Sequence, residues 1–479
     1  MIRILYVSNT TGLDGASKCL LTLLQHIDRT KIEPFAIVPG EGPLVAEIES
    51  LSIKYEFVRI PWWLRIRGSL DLQLNLGITR NADLTNFNLG QIQDLSQSLM
   101  ERRLYEIRRI IRENSIDIVQ TNAVSILEAA LAARLTGTKH VWHIHEYIDD
   151  HPGLYSCLPS GAVEWFLNNL SDRLVVPTEA VRQAYGTRVP LEKISQIYNG
   201  VPMPKRNERS ASSRGLLSPY HIEFSIKPKE KLICSVGHDG PEKGWNDLVE
   251  TAHLLSKERT DFKFILVGRI DLYGHNFRDI MRRIEELKLE DKLIFTGYRD
   301  DAQEIMSASD IAFFPSRMET FSLSAAEAMA LHVPVVGTVC GGMEEVVVSD
   351  QTGILVKPCD HGRMAEALAF LMDDPDERER LGENGRQVFL EKFSPAKYAK
   401  QFMEIYVKLM NTRPNEEKKP DALSDRDFEA FASLYSLISS LSMQTEVFRR
   451  ELQELRSPLT SSYGMLKKLL QRIRNLTMP

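Results

Sequence analysis

The stretch that most limits what this chain can become runs from Ile311 to Leu331. Ile311 to Phe314 is an unbroken apolar run, the pattern of a short strand buried on both faces, and Ala325 to Leu331 is helix-prone. Between them, Pro315-Ser316-Arg317-Met318-Glu319-Thr320-Phe321-Ser322-Leu323-Ser324 carries the chain from strand to helix. A strand that delivers a loop onto a helix start lies at the carboxyl edge of an α/β sheet, where such sheets bind ligands. The N–H groups of Phe321, Ser322 and Leu323 enter the first helical turn without internal acceptors, so they are free to face an anion. Two carboxylates bracket the turn, Glu319 on the loop and Glu327 inside the helix. Ser324-x-x-Glu327 also has the spacing of a capping box, in which Glu327 would serve only the helix start.

The same strand, loop and helix unit opens the chain. Ile2 to Val7 is a near-continuous apolar run, Ser8 to Gly15 is polar and carries Gly12 and Gly15, and Ala16 to Ile27 reads as helix. The loop is either a ligand-lining turn or a plain tight one, and it lacks the G-x-G-x-x-G dinucleotide fingerprint. Strands are expected at Phe35 to Val38, Tyr55 to Ile60, Asp117 to Gln120, His140 to Ile144 and Arg173 to Val176. Helices are expected between them at Leu44 to Ser50, Ile92 to Glu113 and Ser125 to Leu135. Residues 61 to 91 interrupt this alternation with Pro61-Trp62-Trp63 and an Asn- and Leu-rich run, either a flap with a functional role or a packed-down loop. Val141-Trp142-His143-Ile144-His145-Glu146 ends a strand, so His143 and His145 share one side. An imidazole there can exchange a proton near neutral pH, which suits a reacting hydroxyl. With Asp149, Asp150 and His151 the histidines alternatively suggest a metal site, and none is expected.

Ile197-Tyr198-Asn199-Gly200-Val201-Pro202 turns the chain and, with the polar run to Ser218, marks a linker. A second alternation follows, with strands at Leu232 to Val236, Phe262 to Val267, Lys292 to Thr296, Pro334 to Val336 and within Asp350 to Val356. Its helices are expected at Asn246 to Lys257, Phe277 to Lys288, Ala365 to Met372, Arg378 to Phe393 and Ser394 to Met410. The first of these strands leads into Gly237-His238-Asp239-Gly240-Pro241-Glu242-Lys243-Gly244, and Arg269 follows another at Val267-Gly268. At 479 residues the chain exceeds one ordinary core and fits two such domains plus an extension.

Taken together, P-S-x-x-E-T-F-S-L-S-A-A-E-A-M-A with its E-x7-E spacing, the N-G-V junction, the G-x-x-x-x-x-K-G element and Gly341-Gly342-Met343-Glu344-Glu345-Val346 resemble the group 1 family of retaining glycosyltransferases. The resemblance covers residues 1 to about 410 and implies the GT-B fold, an α/β architecture of two Rossmann-like doubly wound domains facing a cleft. It implies an acceptor-side domain at 1–200, a nucleotide-sugar-binding domain at 201–393 and a helix at 394–410 crossing back. The implied activity is retaining, metal-independent transfer of a hexosyl-type sugar from a nucleoside-diphosphate donor, by front-face attack without a protein nucleophile and with no cofactor. Glu319 would contact the donor sugar, Thr320, Phe321, Ser322 and Leu323 its phosphates, Glu327 the ribose, and His145 the sugar and acceptor. Gly15, Gly237, His238 and Lys243 would complete the donor site. One departure is clear: His238 stands where the family carries arginine. A part-time cation replaces a permanent, bidentate one, so the phosphates are held differently or activity is lower and more pH-dependent.

Residues 411–427 are charged and linker-like, and 428–479 form a helical extension. Phe431, Leu434, Ile438, Leu441, Thr445, Phe448, Leu452 and Leu455 alternate spacings of three and four over roughly 37 Å of helix, a coiled-coil seam for self-association or a helix lying on its own catalytic domain. Leu466, Leu469, Leu470, Ile473 and Leu476 with Lys467, Lys468, Arg472 and Arg474 make a basic amphipathic face, suited to weak peripheral contact with an anionic membrane or to solvent. A net charge of −6 argues against generic nucleic-acid binding. Five dispersed cysteines without paired spacing, and the absence of an apolar run of about 20 residues, suit a cytoplasmic protein with reduced thiols that meets the inner face of the membrane only peripherally. The expected role is synthesis of surface polysaccharide or glycolipid with a saccharide or lipid-linked acceptor, against a self-associating, catalytically silent scaffold or a sugar-nucleotide epimerase of related fold.

Overall fold

The computed structural model describes residues 1–60, 62, 64–66, 89–148, 154–156, 160–204, 219–271 and 275–412. Most of the 61–91 segment, the acidic and histidine residues at 149–151, and the proposed coiled coil and amphipathic face beyond 412 lie outside it.

The amino-terminal half contributes β1 (Ile2–Ser8), β2 (Ile32–Val38), β3 (Lys54–Phe57), β4 (Leu64–Ile66), β5 (Ile118–Asn122), β6 (Lys139–His143), β7 (Leu154–Ser156), β8 (Arg173–Val176) and β9 (Ile194–Gln196). Seven of these form one parallel sheet in the order β3-β2-β1-β5-β6-β8-β9, while β4 and β7 pair antiparallel as a separate ribbon. The second half supplies β10 (Lys231–Val236), β11 (Phe262–Val267), β12 (Leu293–Gly297), β13 (Ile311–Phe314), β14 (Val335–Thr338) and β15 (Gly353–Val356), ordered β12-β11-β10-β13-β14-β15.

Both sheets are apolar on both faces because helices cover both. In β1, Leu5 and Val7 pack with the helices Leu89–Glu113 and Glu128–Thr136, while Ile4 and Tyr6 point the other way, into a cluster with Leu20, Leu23 and Phe402. In β10, Leu232 and Cys234 join one cluster and Ile233 the other. The strand periodicity of two thus splits each run between two cores, and this is why the sequence shows runs rather than alternation.

Strand order reverses between β1 and β5 in the first sheet and between β10 and β13 in the second. Connections leave such a switch point in opposite directions, so the loops part there and open a crevice at the carboxyl ends. The two crevices face each other. Thr320 Oγ1, from the loop after β13, donates to the carbonyl of His145, after β6, at 2.8 Å, and Thr178 Oγ1, after β8, donates to the carbonyl of Thr320 at 2.8 Å.

Two chain passages join the lobes. The N–H of Val201 donates to the carbonyl of Phe393 at 2.9 Å, which sets the outgoing and returning segments side by side. The returning helix Pro395–Asn411 then buries Tyr398, Ala399, Phe402, Tyr406 and Leu409 in the first lobe, and Tyr406 Oη donates to Gln120 Oε1 at 2.5 Å. Short elements escaped the sequence reading: β9, and the helices Ser160–Asn169, Glu179–Gly186 and Ala302–Ser307. Three to ten residues hold too few turns of periodicity to announce themselves.

Because Phe402 is fully buried against the first lobe, F402A should destabilise the protein by about 3–5 kcal/mol, read as the shift of a urea unfolding curve. A change under about 1 kcal/mol would show that this helix is not part of the first lobe's core.

Candidate active site

At the second switch point, the corner after β10 and the loop after β13 are clasped together. Lys243 Nζ and Glu319 Oε1 form an ion pair at 2.8 Å, and Ser316 Oγ donates to the same oxygen at 2.8 Å. Glu319 Oε2 has no partner among the described residues. Burial disfavours the Lys243 cation, but Glu319, with help from Glu242, more than offsets this and holds its pKa above the ordinary lysine value.

The segments also meet through the backbone, where the N–H of Arg317 donates to the carbonyl of Glu242 at 2.7 Å. Gly244 adopts φ +70°, and a β-carbon on it would overlap the carbonyl of Pro315, so no other residue fits so close an approach. A second ionic rung lies beside the first. Arg317 makes two bonds to Asp247 at 2.7 and 2.9 Å, and His361 Nε2 meets the same carboxylate at 2.9 Å. Burial works against the Asp247 carboxylate, yet Arg317 and His361 hold its pKa below the usual range. This anchor was missed from sequence, because Asp247, Arg317 and His361 are far apart in the chain and form no motif.

Phe321, Ser322 and Leu323 present backbone N–H groups that have no acceptor among the described residues. Ser322 sits at φ 69°, ψ 77°, the left-handed backbone conformation from which anion-binding nests of successive N–H groups are built. The ring of Phe321 anchors the turn, packing edge-on against Phe393 at 5.3 Å. The capping box does not form. The helix starts at Leu323 with Ser322 as its cap and no side-chain cap bond, which puts Glu327 inside the helix rather than over its end. Glu327 Oε1 instead accepts from Gln303 Nε2 at 3.2 Å, and its other oxygen has no partner among the described residues.

Across the cleft, Gly15 begins the helix Gly15–His26, and a β-carbon there would press on Leu323 of the other lobe. His143 and His145 stand on one side of their strand with ring centroids 4.0 Å apart. His143 is buried against Phe402, and neither of its ring nitrogens has a hydrogen-bond partner among the described residues. His145 Nε2 faces Asn122 Oδ1 at 3.2 Å, and burial pushes its pKa down to about 3. This corrects the expectation of proton exchange near neutrality: desolvation keeps His145 neutral, so it can offer a hydrogen bond but not a charge. Glu146 is the group that titrates there. Burial raises it to about 7, against the N–H groups of Val124 and His145 that it accepts at 3.2 Å each.

Both nitrogens of His238 are engaged. Nδ1 accepts from the N–H of Gly240 at 3.0 Å, and Nε2 faces Glu242 Oε1 at 3.1 Å. Partial desolvation, aided by Lys243 and Arg269, lowers its pKa despite Glu242. Gly237 N–H is used within the sheet edge, donating to Val267 at 3.0 Å. Among the described residues no group of three or more histidine, cysteine or acidic side chains could hold a metal ion, and no helix is long and apolar enough to cross a membrane. Cys19, Cys234, Cys340 and Cys359 are free thiols.

Comparison with known proteins agrees with this geometry. Residues 220–388, which carry both carboxylates and Lys243, match the family described as Glycosyl transferases group 1, and residues 93–203 match Glycosyltransferase Family 4. The chain belongs to the group 1 glycosyltransferases. This group 1 chain is 29% identical over 226 residues to N-acetyl-alpha-D-glucosaminyl L-malate synthase of Bacillus anthracis, a match spanning 47% of the chain and 56% of that relative. It is 29% identical over 190 residues to the lipopolysaccharide core biosynthesis mannosyltransferase LpsB of Rhizobium meliloti, spanning 39% of the chain and 54% of LpsB. The matched stretch is thus little more than half of each relative's length. In fold it resembles Anabaena Alr3699/HepE, solved in complex with UDP and glucose, with a TM-score of 0.67 at 18% identity, covering 85% of this chain and 100% of the other. Its two sheets and their helices make it a GT-B protein.

Two outcomes follow from the site. Folded protein binds an extra proton at Glu146 between the ordinary carboxylate pKa of 4.5 and about 7, so this group's contribution to stability falls as pH rises through that window and the full penalty applies above it. E146Q should therefore raise the melting temperature relative to wild type more at pH 8 than at pH 5, and equal shifts at both would refute the assignment. Ser322 is strained where glycine would not be, so S322G should stabilise by up to about 1 kcal/mol in thermal unfolding while S322V destabilises.

Proposed function

We propose that this protein is a retaining glycosyltransferase that moves a sugar from a nucleoside-diphosphate-sugar to an acceptor hydroxyl, in the synthesis of cell-surface polysaccharide or glycolipid. One observation carries the reading. A lysine and a glutamate, paired at 2.8 Å, sit at the switch point of the second sheet beside the backbone N–H groups of Phe321 to Leu323, which have no acceptor among the described residues. That is a cradle for a polyanion joined to a group recognised by a carboxylate. Structures related in fold hold UDP or UDP-glucose, and the relatives named above act on sugars, in one case for lipopolysaccharide.

In this reading Glu319 Oε2 accepts from a sugar hydroxyl, the free oxygen of Glu327 from the ribose, and Lys243 with the Phe321 to Leu323 amides binds the phosphates. Thr320 holds the acceptor-side strand to the donor loop through the His145 carbonyl. The bond from C1 to the phosphate oxygen breaks with its electron pair on the diphosphate. The acceptor oxygen bonds C1 from the same face, and its proton passes to the departing phosphate oxygen. The diphosphate gains charge as it leaves, so Lys243 and the fixed amides favour the transition state over the ground state. His145, being neutral, orients the acceptor hydroxyl without taking its proton.

Incubation with UDP-, GDP-, ADP- and CMP-sugars should give nucleotide release that depends on an added saccharide or lipid-linked acceptor, with proton NMR showing the donor's anomeric configuration in the product. K243A should lower kcat on the order of 10²–10³-fold. Nucleotide binding without turnover would identify a silent scaffold, and conversion of the nucleotide sugar without acceptor would identify an epimerase. An unchanged kcat in K243A would remove the basis of the mechanism.

A further inference from the structure

An anion that binds at the carboxyl edge of the second sheet must find positive charge there, and most of that charge is already committed. Lys243 is paired with Glu319, and Arg317 is bound twice by Asp247. Arg299, after β12, is divided between Glu223 and Asp301. His238 uses both ring nitrogens within its own loop. Its Nδ1 accepts a hydrogen bond from the Gly240 N–H and so carries no proton, which makes the ring neutral.

Arg269 is different. It follows β11, next to β10 in the sheet, is exposed to solvent, and has no carboxylate partner among the described residues. The loop that carries it is fastened to the Lys243 corner. A β-carbon on Gly268, at φ +150°, would overlap the carbonyl of Gly237, the N–H of Asp239 approaches the carbonyl of Arg269 at 3.4 Å, and the N–H of Asp271 donates to Asp239 Oδ2 at 3.0 Å. The Arg269 charge is near enough to His238 to help keep that ring uncharged. Lys357 is also exposed, but it follows β15, three strands from β10.

We infer that Arg269 is a phosphate-binding residue of this site, supplying from the strand beside β10 the permanent cation that position 238 does not. The assignment rests on the donor reading above and adds the residue that recognises the diphosphate. A guanidinium can bond two phosphate oxygens at once, and unlike Lys243 it has no bound carboxylate to displace. Its ion-pair freedom is therefore reserved for a ligand that brings its own negative charge.

The test uses the full chain and isothermal titration with UDP, GDP and ADP, each against its own nucleoside. For the diphosphate that wild type binds best, R269Q should raise Kd about tenfold, the size of a lost charge-assisted hydrogen bond, while leaving the nucleoside Kd unchanged. R269K, which keeps the charge but not the fork, should fall between them. Arg269 is exposed, so both variants should melt with wild type, and the comparison is then one of binding alone. A binding-competent wild type matched by R269Q within twofold, or an equal loss for nucleoside and diphosphate, would overturn this assignment and leave the functional reading standing. A wild type that binds none of the three diphosphates would overturn both.

Discussion

A single ion pair, Lys243 with Glu319 at 2.8 Å, joins two loops that the sheet topology would otherwise send apart. At a switch point the connections leave in opposite directions, so nothing in the sheet itself brings the β10 and β13 loops together. The contact is paid for by the second rung, where Asp247 binds Arg317 twice, and by the close approach that Gly244 permits to Pro315. These two features hold the loops in register whether or not Lys243 and Glu319 are turned toward a ligand. A site whose charged groups must change partners needs such a support, because a bidentate pair keeps its geometry while a single bond exchanges.

The lobes are coupled by the same loop. Thr320 bonds the carbonyl of His145 through its hydroxyl and accepts from Thr178 through its carbonyl, and Glu345 accepts from the N–H groups of Glu179 and Ala180 at 2.9 and 2.8 Å. A carboxylate from the second lobe thus caps a helix of the first, where it also complements the positive end of the helix dipole. The loop that carries Glu319 is therefore tied directly to the segment that carries His145. Burial in that junction keeps His145 neutral and lifts Glu146 to about 7, so on that side of the cleft the group that changes charge near neutrality is the carboxyl and not the imidazole.

Much of this was legible in the chain. Near-continuous apolar runs such as Ile2 to Val7 and Phe262 to Val267 are best satisfied by a sheet covered on both faces, and each was found as an interior strand. Glu319 and Lys243 were legible because each lies just after such a run, where a sheet edge must be. The Arg317 and Asp247 anchor was not, since 70 residues separate partners whose types are common on any surface. The helix Glu179–Gly186 carried a signal that could have been used, with Thr178 as its cap and an acidic first residue, but its second cap comes from Glu345 in the other lobe.

Local pattern therefore determined the elements, their order and the chemistry available at each sheet edge, because periodicity and turn residues act over a few positions. Charge state and partnership were decided only by tertiary structure. Whether Glu327 caps its helix, whether His145 holds a proton and whether His238 can meet an anion all depend on which groups from distant segments arrive beside them. Solvation and Coulomb energy are set by those neighbours in space, and a sequence lists neighbours only along the chain.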